Sequence, residues 1–161
     1  MMWVVRAGKK AVYYDKYLKD ERIYIPWEGY GMNLSSFKTY GEFKDLVLEE
    51  KGDDNNRTSI SNWTTQLFAF IREMRINDYV LIPSEFSRTY CLAKITGEYN
   101  YDTSGDAELC HSRKILIVEK DIPREIFEQS IIYSLGAYRT IFHVKYEKEI
   151  IDTINEWRKN K

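Results

Sequence analysis

The sequence predicts an α+β fold, a small curved mixed β-sheet or β-barrel flanked by helices. Three observations carry that prediction. Apolar residues Ile60, Trp63, Leu67, Phe70, Ile71 and Met74 recur at steps of three and four, the period of a core-facing helix. Two apolar runs, Tyr79–Pro83 and Thr89–Thr96, flank a polar turn at 84–88 and read as a hairpin. The order of elements is two short strands, two helices, three strands, a small helix, a strand and a helix, a mixture that suits one sheet with helices packed on it.

Taken in order, Trp3 to Ala7 is a first strand ended by Gly8 and two lysines. Segment 9–20 holds a short helix or an irregular arm. Ile23-Tyr24-Ile25 is a second strand stopped by Pro26-Trp27, and the glycine-rich loop Glu28–Asn33 follows. Ser35 or Ser36 can start a helix, but the clearer one spans 40–50 with Phe43, Leu46 and Val47 on one side; the tract Gly52–Arg57 breaks it. The main helix, 60–75, is expected behind a Thr58/Ser59 cap. After the hairpin, Gly97 opens the Tyr-rich stretch 98–102, and Arg113 to Glu119 returns as a strand. Pro123 sits just inside an expected short helix at 122–130, where its missing N–H is harmless. Ser134–Ala137 is a turn, Thr140–Val144 a strand, and 146–159 a helix with Ile150, Ile151, Ile154 and Trp157 in one stripe. Residues 1–145 thus form one domain, with 146–161 a cap or a link to a partner or further domain.

With 161 residues the chain is long enough to bury a core of its own. Its 24 Lys and Arg against 25 Asp and Glu leave a net charge of −1, which excludes a polybasic arm and an acidic tail. Aromatic residues are 15% of the chain, more ring surface than one small core needs, so some rings are expected to face a ligand or partner. No apolar run approaches the ~20 residues of a membrane span, and the N-terminal apolar stretch is too short for a signal peptide, so a cytoplasmic location without membrane contact is expected. Cys91 and Cys110 stand apart, with neither zinc-site nor redox spacing; no metal and no cofactor is expected.

Catalytic motifs are missing as well: there is no nucleophile elbow, P-loop, HExxH or GxGxxG, and His111 and His143 have no nucleophile close in sequence. Glu42-Phe43-Lys44 falls on a helix face and reads as solvated surface, while Glu28, Asp102 and Asp106 are loop acids that nothing in their spacing gathers. Binding has more support. Trp27 follows a proline at a strand end and precedes a glycine-rich loop, where an indole is held rigidly yet accessibly; it is either a ligand contact or a ring packed under its own loop. Trp63, on the apolar helix stripe, reads as core. Tyr99 and Tyr101 share one face of an extended segment, as a cage wall or as a half-buried strand pair. Arg6, Arg88, Lys94, Arg113, Lys114 and Arg139 lie on or beside the predicted sheet, with Arg88, Arg113 and Lys114 the candidates for nucleic-acid backbone contact. The neutral net charge implies a small, base-centred contact, or a grip supplied by another domain.

Five stretches together resemble a known family: Trp3-Val4-Val5-Arg6-Ala7-Gly8, Ile25-Pro26-Trp27, Ile60 to Phe68, Asp78 to Pro83, and Tyr133-Ser134-Leu135-Gly136-Ala137. Over about residues 2–144 they look like the N-terminal domain of Mrr-like restriction endonucleases, which is similar in layout to the PUA-like superfamily with its EVE and YTH modified-base readers. The resemblance implies a small β-barrel with a base-sized pocket, a strand-end tryptophan as one cage wall at Trp27, and base-edge reading by Arg6, Ala7 and Gly8. This chain departs from the pattern at Pro26, where glycine is expected, and at Ile117, where a second tryptophan is expected. Tyr99, Tyr101 and Phe86 are the candidates for the second wall. The function so implied is a non-catalytic DNA-binding module of a restriction or phage-defence system. It would recognise a modified, flipped base and direct a nuclease domain or subunit. Protein–protein interaction within such a system, or RNA binding, are the alternatives.

Overall fold

The computed structural model of the chain describes residues 1–52, 55–85 and 87–161. Among these, seven strands form one strongly curled sheet, a half-barrel, with five α-helices around it. The strands are β1 (Met2–Val5), β2 (Arg22–Tyr24), β3 (Tyr79–Pro83), β4 (Thr89–Ile95), β5 (Asn100–Tyr101), β6 (His111–Pro123) and β7 (Ile141–His143). The helices are α1 (Tyr14–Asp20), α2 (Tyr40–Lys51), α3 (Arg57–Phe68), α4 (Gln129–Leu135) and α5 (Glu147–Lys159). The strand order is β2-β6-β4-β3-β1-β7, with β5 beside β6, and β1 and β3 are the parallel pair. The expected α+β class with a small curved sheet is therefore what forms.

The curl originates in β6. Its first residues lie between β2 and β5, Ser112 facing both Tyr24 and Asn100, and from Ile115 onward it pairs with β4 instead. Its register against β4 slips on both sides of Leu92, and Asp121 takes a left-handed φ of 56°. Such bulges bend a strand and increase its twist.

Alternation along the strands splits the core into two. Trp3, Val5, Val80, Ile82, Cys91 and Ala93 face one side, against Tyr17 of α1, Phe43, Leu46 and Val47 of α2, and Ile60 and Leu67 of α3. Met2, Val4, Leu81 and Leu92 face the other, against Ile131 and Leu135 of α4 and Ile150 and Ile154 of α5. With both faces covered, β1 and β4 read as nearly unbroken apolar runs. The α5 stripe accordingly caps this sheet.

Local chemistry sets the helix ends. Thr39 Oγ1 accepts from Glu42 N (3.2 Å) while Glu42 Oε2 accepts from Lys38 N (3.0 Å), so α2 starts at Tyr40 and Ser35–Ser36 stay in a turn. The cap of α3 is Asn56, whose Oδ1 accepts from Ser59 N at 2.9 Å; this starts the helix three residues before the expected position, at Arg57. The helical stretch ends in a π-turn, Ala69–Glu73, closed by Met74 N donating to Ala69 O. The extra residue in that turn keeps Phe70, Ile71 and Met74 buried. Trp63 packs at the edge of the first core with Lys51 Nζ 5.2 Å from its ring centre. Asp53 and Asp54, in the tract expected to break α2, lie outside the described residues.

One element differs from expectation. Pro123 is the last residue of β6 rather than the start of a helix, because Thr89 pairs with it and the following amide, Arg124 N, donates to Arg88 O. A strand end tolerates the missing N–H as well as a helix start does. The helix expected at 122–130 forms later, as α4, after a 3-10 turn at Arg124–Ile126.

Candidate functional site

Parallel pairing carries the chain after β1 and the chain after β3 to the same end of the sheet. The start of β4, the end of β6 and the start of β7 meet there too, because each runs antiparallel to a neighbour in that group. Between the segments that leave this end lies a cavity of about 660 Å³. That is within the usual size of a ligand pocket. Its walls come from Arg6 and Gly8–Ala11 after β1, Pro26-Trp27 after β2, the β3–β4 turn, Arg124, and α4 with the loop leading to β7.

Two polar devices, one partly exposed and one buried, hold the α4–β7 loop in place. Arg6 donates from Nε to Arg139 O (3.0 Å) and from Nη2 to Leu135 O (3.2 Å) and Ala137 O (3.0 Å), and its amide donates to Thr140 O (2.7 Å). From α3, the buried Gln66 accepts with Oε1 from the amides of Thr140 and Ile141. The β3–β4 turn is held by hydroxyls: Ser84 Oγ bonds Ser87 Oγ at 2.6 Å and Thr89 Oγ1 at 2.8 Å. At Gly8, φ is 79° and a Cβ would fall 2.9 Å from the Tyr13 ring, so glycine is needed to turn the chain into the cavity wall.

The sequence candidates separate into two groups. Trp27, Arg6, Gly8 and Arg88 come together in this cavity. Trp27 is half-buried, packed on the first core and still part of the wall. Arg6 is mostly committed to the loop carbonyls, and Nη1 is its nitrogen without a protein bond among the described residues. Ala7 is fully buried and its carbonyl accepts from Tyr13 N, so it faces away.

The other candidates lie elsewhere. Tyr99 and Tyr101 flank His111, with ring centres 5.8 and 5.3 Å away, and do not line the cavity; both are half-buried, Tyr101 on β5 and Tyr99 just before it. His111 Nε2 lies 2.7 Å from Tyr30 O, which requires a proton on Nε2, so Nδ1 accepts from Tyr99 Oη at 2.6 Å. Tyr99 Oη in turn accepts from Leu34 N. This chain ties the loop after Trp27 to the sheet, and burial pushes the His111 imidazole below its ordinary range and the Tyr99 phenol up to about 12.

Arg113 is 4% exposed and donates to Gly97 O, Phe70 O and Met74 O, closing the carbonyl end of the α3 π-turn rather than meeting phosphate. Lys114 is exposed on β6 opposite Arg22, outside the cavity wall. Ile117 pairs with Ala93 and packs at the edge of the first core. Phe86 lies outside the described residues.

Several wall residues went unread in the sequence. Lys9, Lys10, Arg124 and Tyr138 line the cavity, as does Tyr90 at its base. Tyr90 is 5% exposed; burial raises its phenol while the charges of Arg124 and Arg6 pull it down. Tyr138 has a fully exposed ring. A lone tyrosine after a Leu-Gly-Ala turn was the available signal. Backbone strain is also present here: the non-glycine residues Lys10, Ala11 and Arg88 have positive φ, between 52° and 56°. Strained conformations of this kind cluster at binding sites. Among the described residues no group of His, Cys, Asp and Glu is arranged to hold a metal ion, and no helix is long and apolar enough to cross a membrane.

No curated protein matches the chain. A family model described as a domain of unknown function, DUF8426, matches residues 3–143, from β1 to the end of β7, and so spans every segment that builds the cavity. The chain belongs to the DUF8426 family of domains of unknown function.

Proposed function

We propose that the chain is a non-catalytic DNA-binding module that takes a modified, flipped base into this cavity and directs a nuclease carried by another domain or subunit. The observation that supports the reading most is Trp27, a half-buried indole in the wall of a cavity large enough for a base. A ring so held stacks on a base at little entropic cost, and the edge of the base meets Gly8 and Arg6 Nη1. A restriction or phage-defence role in the cytoplasm follows from the family resemblance and is part of the same proposal. RNA presenting an unpaired base would meet the same walls.

The test is a titration of the protein against matched oligonucleotides, unmodified or carrying 5-methylcytosine, 5-hydroxymethylcytosine or N6-methyladenine, read by tryptophan fluorescence. One modification is expected to bind best, and Trp27→Ala is expected to lose that preference while remaining cooperatively folded, with a melting temperature lowered by the loss of a half-buried ring. Full affinity in Trp27→Ala removes the base from this cavity.

A second reading, a protein-interaction module, is favoured by Tyr133 and Tyr138, 85% and 104% exposed on α4 and the loop after it. Such a contact would be apolar and nearly indifferent to salt, and modified and unmodified DNA would bind equally poorly.

A further inference from the structure

The net charge of −1 conceals a local imbalance. Six cations line the cavity, Arg6, Lys9, Lys10, Arg88, Arg124 and Arg139, against one acid, Glu85. The whole chain has 24 cations and 25 acids, so a wall drawn without preference would carry both signs about equally. Among the described residues, none of the six is in salt-bridge reach of a carboxylate, although other cations of the chain, Lys16, Lys148, Arg158 and Lys161, are paired. Apart from Arg6, all are exposed, so they form the rim rather than the floor. They come from four separate segments, and two, Lys10 and Arg88, are held there at φ of 56° and 52°. Unpaired like charges gathered around a concavity repel one another, and that cost is relieved by an anionic ligand whose field the concavity focuses.

We infer that this rim, and not Arg113 and Lys114, grips the phosphates on either side of the inserted nucleotide, so that the ligand is a nucleotide within a strand rather than a free base or nucleoside. The inference rests on the reading of the cavity as a nucleobase site and adds its anionic half. Lys9, Lys10, Arg88, Arg124 and Arg139 supply charge at the mouth, where the backbone of an extruded nucleotide must pass. Two or three neutralised phosphates are enough to give measurable counterion release without a basic domain.

The experiment measures oligonucleotide affinity as a function of salt. With three phosphates held, binding is expected to weaken about 40-fold between 50 and 200 mM salt. In Lys9→Gln/Arg124→Gln the slope of log affinity against log salt should fall by about 1.8, equally for modified and unmodified strands. The control Lys44→Gln/Lys159→Gln, which removes two exposed cations outside the cavity wall, should leave the slope unchanged. The modified nucleoside alone should bind at least 10-fold more weakly than the strand. An unchanged slope in the rim variant, a nucleoside as good as the strand, or polyglutamate binding as tightly as the oligonucleotide would each overturn the phosphate assignment. The two proposals fail separately. Modification preference with a flat salt response sinks the rim and keeps the base site; salt-dependent binding lost in the rim variant, without modification preference, keeps the rim and removes the recognition of a modification. Binding to no oligonucleotide removes both.

Discussion

Arg6 illustrates how one side chain serves structure and site together. Three of its bonds end on carbonyls of residues 135, 137 and 139, so it acts as a strut for the loop that carries Tyr138 and Arg139 into the cavity wall. A lysine reaches that place with the charge but cannot span three carbonyls with a rigid fork. Arg6→Lys is therefore expected to lose about 2 kcal/mol of stability and to speed amide exchange at 135–141, checked by chemical denaturation and hydrogen exchange. Tyr138 is the contrasting case, because its ring packs on nothing. Tyr138→Ala should leave the melting temperature unchanged yet weaken binding of a modified strand about 10-fold, as the loss of one stacking ring does. His111 adds a pH dependence. Burial lowers its folded pKa beneath the unfolded value near 6.5, so the unfolded chain binds more protons as pH falls below about 6.5. Its stability contribution is whole above that pH and is lost between it and the lower folded pKa. Urea midpoints at pH 7.5 and 5.5 should show the drop, and His111→Gln should abolish it.

At the scale of elements, helix and strand positions were largely legible because their signals are local. The period of Ile60, Trp63 and Leu67 marks α3 wherever it packs, and Tyr79–Pro83 forms as read because an apolar run between turn residues has few other uses. The π-turn was hidden, since one inserted residue leaves the apolar spacing almost intact. Pro123 was misread because strand ends and helix starts accept proline equally, and only the pairing with Thr89 distinguishes them. Arg113 and Lys114 were indistinguishable for a related reason. Neighbours on a strand point to opposite faces, and β6 buries one face at that level. Arg113→Met should cost about 3 kcal/mol by leaving the carbonyls of Phe70 and Met74 buried and unpaired, whereas Lys114→Met should change stability by less than about 0.5 kcal/mol. Denaturation midpoints of the two variants decide the comparison.

For the whole molecule, the question is where the folding unit ends. The family match stops at residue 143, yet Ile150 and Ile154 of α5 are at most 1% exposed and share a core with Met2, Val4, Leu81 and Ile122. Burying two isoleucines contributes at least about 3 kcal/mol, and Trp157 and Ile151 add to it, against a total stability of about 5–15 kcal/mol for a domain. Truncation after Lys145 should therefore leave a chain that is mostly unfolded or aggregated by circular dichroism and size-exclusion chromatography. A cooperative melt at the full-length temperature would show that α5 is an appendage. By itself the sequence determined the class, the positions of most strands and helices, and Trp27 as the ring to test, because apolar period, turn residues and a strand-end indole are written in neighbouring positions. Only the tertiary structure decided that residues 6, 9, 10, 88, 124 and 139 share one cavity while Arg113, Tyr99 and Tyr101 lie outside it. Those positions meet because β1 and β3 run parallel, a pairing between segments more than 70 residues apart that leaves no mark in the residues along either one.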